Sequence, residues 1–127
     1  MVLRVAPSLA AARHCRHWIA LIARECGATP AATSAVELLV SEVFTNAVKY
    51  GAVRDTIELT ATCERRLLAV AVRDRNPAPP VVLEVGPAAL GGRGMHLVQR
   101  LAHSWGVRHH GPAGKTVWFQ VKLDIGG

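Results

Sequence analysis

The stretch AVELLVSEVFTNAVKYG, Ala35–Gly51, is the segment from which the fold can be read. Val36, Leu39, Val40, Val43, Phe44 and Ala47 recur at offsets of three and four, the spacing of one buried stripe on a helix. Glu42 and Asn46 interrupt an otherwise bland helix. At about 100° per residue both project to the same side of the stripe, with Lys49 close by. A carboxylate, an amide and an ammonium are thus grouped at the edge of a core. On the helix alone, the plain reading is a solvated i,i+4 pair, with Lys49 near a C-terminus where the helix dipole favours a cation. The flanking segments argue for more.

Thr29-Pro30 opens this helix, with proline in the first turn, and Gly51 closes it. Before it, Val2–Ala6 is β-prone and reads as an edge strand. Ser8 is a good N-cap for a helix over Leu9–Cys26 that buries Leu9, Ala12, Ile19, Ile22 and Ala23 and stops at Gly27. After it, Asp55–Cys63 alternates, with Ile57, Leu59, Ala61 and Cys63 on one face. A tight turn at Glu64-Arg65-Arg66 leads to a more apolar strand, Leu67–Arg73, so the two form a hairpin. Asp74 ends that strand, and Arg75–Leu90 is a long proline-bearing loop. Gly91-Gly92-Arg93-Gly94 then opens a helix with Met95, Val98, Leu101, Ala102 and Trp105 as its stripe. A short strand over Gly106–His110, a turn at Gly111–Gly114 and a last strand, Lys115–Leu123, complete the chain, with Val117, Phe119, Val121 and Leu123 on one face. Hairpin strands with separate helices predict an α+β two-layer sandwich, its mostly antiparallel mixed sheet covered by helices on one face. The order lacks βαβ units, which disfavours a dinucleotide-binding fold of the parallel type.

With 127 residues, half of them hydrophobic, the chain suits a single domain spanning 1–127 with one core. No apolar run reaches the roughly 20 residues needed to cross a bilayer, and no signal peptide is evident at the N-terminus. The expectation is a cytoplasmic protein with no membrane partner. Cys15, Cys26 and Cys63 are odd in number and lack a CxxC pair, which predicts reduced thiols rather than a disulfide scaffold or zinc ribbon. His14, Cys15 and His17 supply too few ligands at workable spacing for a metal. The formal charge of +6 favours anionic partners. Nucleic acid is not among those expected. There is no Lys/Arg run, and the aromatics other than Trp18 sit inside predicted elements or at their ends instead of alternating with basic residues.

Glycines at a helix start, as in Gly91–Gly94, let backbone N–H groups approach phosphate oxygens where the dipole favours an anion. Gly114-Lys115-Thr116 is reminiscent of the end of a phosphate-binding P-loop. It lacks the first glycine at the required spacing and precedes a strand, so that reading is rejected.

Taken together, SEVFTNAVKYG, VRD at a strand end, GGRGMHLV, WG and GKTVWF resemble the anti-sigma-factor serine/threonine kinases. These belong to the histidine-kinase-like (gyrase, heat-shock chaperone, MutL; GHKL) ATPase superfamily, with its Bergerat-type fold. The resemblance runs from Leu3 to about Leu123. It implies ATP and Mg²⁺ as cofactors. Asn46 matches the asparagine that holds Mg²⁺, for which an amide oxygen is a suitable hard ligand. Glu42 matches the glutamate that acts as general base one turn earlier. Asp74 matches the aspartate that accepts a hydrogen bond from the adenine amino group. Gly92 and Gly94, with Arg93 and Met95 between and after them, match the phosphate side at the base of an ATP lid at about 75–93. Lys49 falls beside the same nucleotide, Thr116 matches a threonine near adenine, and Arg13 matches an arginine of the first helix.

The chain departs from the pattern where the family has D-x-G-x-G. Here the segment is Asp74-Arg75-Asn76-Pro77-Ala78, without either glycine, and Pro77 has a fixed φ. Tyr50 also stands where a histidine is common. The expected function is phosphorylation of a STAS-type anti-sigma-factor antagonist and regulation of a sigma factor by a homodimer. The alternative is a catalytically weak or inactive nucleotide-binding or protein-interaction module of the same fold.

Overall fold

The computed structural model describes residues 1–50, 55–75 and 98–126. In chain order these form β1 (Val2–Val5), α1 (Ala11–Glu25), α2 (Pro30–Tyr50), β2 (Ile57–Glu64), β3 (Leu67–Asp74), β4 (Ser104–His109) and β5 (Lys115–Lys122). Residues 98–101 are helical, and a 3₁₀ turn at Gly111–Ala113 joins the last two strands. The sheet order is β1-β2-β3-β5-β4, and every described pairing is antiparallel. The two helices pack together over one face of this sheet, the α+β layering that the sequence pattern predicts and the Bergerat-type arrangement that the family resemblance implies.

Alternation in the strands sets which face is covered. Ile57, Leu59 and Ala61 of β2, Leu68, Val70 and Val72 of β3, and Val117, Phe119 and Val121 of β5 are all buried. Against them lie Cys15, Ile19, Ile22 and Ala23 of α1 and Val36, Leu39, Val40, Val43 and Phe44 of α2. Thr29 caps α2: its hydroxyl accepts the Ala32 N–H at 3.1 Å and donates to the Ile125 carbonyl. The β2–β3 hairpin closes through Arg65 and Arg66, whose φ values of 52° and 63° are those of a two-residue turn matched to strand twist. As expected, β1 is an edge strand, bonded among the described strands only to β2.

The structure corrects several local expectations. α1 begins at Ala11, with Ala10 as N-cap; Ser8 instead accepts the Ala10 N–H at 3.2 Å in the preceding turn. Leu9 therefore precedes the helix and is 54% exposed. Trp105 lies on β4, not on the preceding helix, and Leu101 is exposed while Val98 is buried. The closing Gly51, most of the lid at about 75–93, the altered Asn76-Pro77-Ala78 segment and Met95 lie outside the described residues.

The largest correction concerns the thiols. Cys26, at the end of α1, and Cys63, near the end of β2, form a disulfide with their Cα atoms 6.4 Å apart, inside the range that such bonds span. They are 37 positions apart in sequence, so only the tertiary fold, which sets the C-terminal end of α1 beside β2, brings them together. Cys15 remains free and buried, and burial pushes its thiol up to about 11. The native protein at pH 8 should consequently show no rapidly reacting thiol with Ellman's reagent. One thiol per chain should appear on denaturation, and three on denaturation with a reductant. Two native thiols would overturn the pairing.

Candidate functional site

Two strands and one helix converge at one end of the core. β3 carries its inward stripe, Leu68, Val70 and Val72, one step further to Asp74. β5 begins its inward stripe, Val117, Phe119 and Val121, with Lys115. Asp74 and Lys115 face each other directly in the antiparallel register. Each is only 3% exposed, and Lys115 Nζ donates to Asp74 Oδ1 at 3.2 Å. Both charges are thus held on the covered side of the sheet, which a buried charge tolerates only when it is paired.

Gly114 makes this approach possible. A Cβ there would stand 2.1 Å from the Asp74 carbonyl oxygen and 2.5 Å from Arg75 Cα. Its φ of 113° and ψ of −149° belong to a region that is essentially restricted to glycine.

α2 closes the third side. Val43, Asn46 and Ala47 line a small cavity with Val72 and Asp74 of β3 and Lys115 and Val117 of β5. Its free volume is about 10 Å³, room for roughly one water. Asn46 is 7% exposed, and its side-chain oxygen Oδ1 is buried with no hydrogen-bond partner among the described residues. An amide oxygen left without a donor in a buried site is costly, by about 1–3 kcal/mol. It is also what a hard cation accepts as a ligand, so the donor chemistry fits Mg²⁺. Among the described residues no group of three His, Cys, Asp or Glu side chains is gathered for a metal.

The other expected site residues are distributed unevenly. Glu42 is half-buried one turn before Asn46 on α2. Lys49 is exposed in the last turn of α2 and is not part of the cavity lining. Thr116 lies in the alternate phase of β5, opposite Arg73, and its Oγ1 is 2.8 Å from His110 Nε2. The residue that reaches the cavity from this segment is Lys115, its neighbour. Gly92, Arg93, Gly94 and Met95 fall outside the described residues. Arg13 is exposed on α1. Lys115 was legible in principle, since it stands in phase with Val117, Phe119 and Val121, an unusual place for a lysine in an alternating strand.

A family model described as the histidine kinase-like ATPase domain matches residues 5–121, and the chain belongs to that family. Over 97% of its length it is similar to the structure of the RsbU and RsbW domains of Rv1364c from Mycobacterium tuberculosis, at 21% identity and a TM-score of 0.73. It covers 32% of that chain. Over 72% of its length it is similar to the histidine kinase domain of the blue-light activated histidine kinase from Erythrobacter litoralis EL346. There the identity is 29%, the TM-score 0.54 and the share of that chain 45%. The chain therefore spans less than half of either structure's length. No curated protein sequence matches it significantly. Among the described residues no helix is long and apolar enough to cross a membrane.

Proposed function

We propose that this chain binds ATP with Mg²⁺ and acts as an anti-sigma-factor-type serine/threonine protein kinase. Its substrate on this reading is a STAS-type antagonist, and its regulatory target is a sigma factor. The observation that supports the reading is the buried Asn46 oxygen, without a partner among the described residues, set in one cavity with the Asp74 carboxylate. When bound, Mg²⁺-ATP supplies the phosphoryl group and the cation that screens its charge. Asn46 offers its amide oxygen to the cation, and Asp74 accepts from the exocyclic amino group of the base. By the family resemblance, Gly92, Arg93, Gly94 and Met95 are the residues assigned to the phosphates. Lys49, exposed on the same helix as Asn46, adds positive charge on that side. Glu42 takes the proton from the acceptor hydroxyl, one turn from the residue that holds the cation. Strand β1, at the edge of the sheet among the described residues, suits pairing with a second copy in a homodimer.

The test is calorimetric titration with ATP, with and without Mg²⁺, followed by transfer of labelled phosphate to a STAS-domain protein. Asn46→Ala should weaken Mg²⁺-ATP binding roughly 30-fold or more, the scale of one lost bond to a charged group. Glu42→Ala should retain nucleotide and lose roughly 100-fold or more in transfer rate. Unaltered binding by Asn46→Ala would refute the nucleotide site. Binding without transfer by the wild-type protein would favour the second reading, a nucleotide-binding interaction module.

A further inference from the structure

The base end of the cavity already contains a cation. Lys115 is 3% exposed, and its ammonium donates to Asp74 Oδ1 at 3.2 Å. The remaining space, about 10 Å³, admits roughly one water and no nucleobase. An ammonium is a donor with no acceptor capacity. The exocyclic amino group of adenine is likewise a donor where it meets a carboxylate. Both groups are thus donors to the Asp74 carboxylate, whose Oδ1 Lys115 already holds, and the lysine stem lies in the space the base needs.

We propose that Lys115 is a resident occupant of the base pocket and that nucleotide enters by exchange with it. In the free protein the Lys115 side chain fills the pocket and neutralises Asp74. On binding, the base displaces the lysine stem and its amino group takes over the carboxylate, while the ammonium moves to solvent. Lysine suits this exchange. Its four-carbon stem is flexible, and its strongly hydrated ammonium gains water on leaving. An arginine, planar and bidentate toward a carboxylate, would release it less readily. The exchange sets affinity, because each binding event must break a buried pair. It also selects the ligand: a base presenting a carbonyl at that point, as guanine does, cannot replace an ammonium beside a carboxylate. This inference rests on the reading of Asp74 as the acceptor for the base.

The experiment joins NMR of the wild-type chain with calorimetry of one variant, using Mg²⁺-ATP as the probe. In ¹⁵N-labelled free protein, the buried Lys115 ammonium should give a slowly exchanging Nζ–H correlation. That signal should vanish at saturating Mg²⁺-ATP, as the group reaches solvent. Lys115→Met should bind Mg²⁺-ATP at least tenfold more tightly than wild type, and GTP should bind neither protein measurably. If the variant does not fold, the wild-type NMR decides alone. If ATP shifts the α2 amides while the Lys115 signal persists, or if the folded variant binds no tighter, the exchange is refuted and the nucleotide site stands. If millimolar ATP produces neither heat nor amide shifts in either protein, the nucleotide reading fails and takes the exchange with it.

Discussion

Replacing Gly114 by alanine lowers the thermal midpoint of this protein by about 15 °C. The reason is local and steric. The added Cβ would sit 2.1 Å from the Asp74 carbonyl oxygen and 2.8 Å from the Arg75 carbonyl carbon, and all of these are backbone atoms. No side-chain rotation relieves the contact, so β5 must shift away from the end of β3. The φ of 113° adds conformational strain for any residue with a Cβ. Together these cost about 4 kcal/mol, at the upper end of single substitutions. For a chain of 127 residues, 1 kcal/mol moves the midpoint by roughly 4 °C. Circular dichroism melts of the two proteins measure it directly, and a shift under about 4 °C would show that β5 does not approach β3 this closely. The substitution should also disturb the site. Lys115 is the next residue, and its pairing with Asp74 depends on the register that Gly114 allows.

Reducing the Cys26–Cys63 bond lowers the midpoint nearly as far, by about 12 °C. The bond closes a loop of 37 residues. In the chain-entropy account, such a cross-link destabilises the unfolded ensemble by about 3–4 kcal/mol relative to the open chain. Cys63→Ser should melt at the temperature of the reduced wild type and should not respond to reductant. Cys15→Ser should retain the response. An oxidised and a reduced wild type with the same midpoint would refute the bond's contribution. The bridge sits at the turn end of the hairpin, where Cys63 faces Leu68, whereas Asp74 lies at the far end of β3. Nucleotide affinity should therefore be the same in Cys63→Ser and wild type at 15 °C, which separates stability from site geometry.

The elements that a period alone can identify were legible in the chain. The three-and-four spacing in Ala35–Gly51 marked α2, and alternation marked β2, β3 and β5, because each stripe buries against a single surface. The grouping of Glu42 with Asn46 followed from the helical repeat. What failed did so for tertiary reasons. Leu9 has an apolar side chain, but the helix starts two residues later and leaves it in solvent. Trp105 fits the preceding helix by spacing, yet its backbone bonds to β5, facing Phe119. Thr116 matched a family position, while the phase of β5 turns it outward and Lys115 inward.

The sequence by itself determined which residues are apolar in which period, and so the helices, the hairpin and the α+β layering. It also carried the two polar residues on α2, since their relation is intrahelical. The tertiary structure decided everything that depends on the meeting of distant segments. The Cys26–Cys63 bond requires the C-terminal end of α1 to meet β2, and no spacing rule encodes that contact. The Asp74–Lys115 pair requires the register of β3 against β5, since the two residues are 41 positions apart and meet only across the sheet. A lysine at an inward position costs too much to bury alone. Only the carboxylate supplied by the neighbouring strand makes it tolerable.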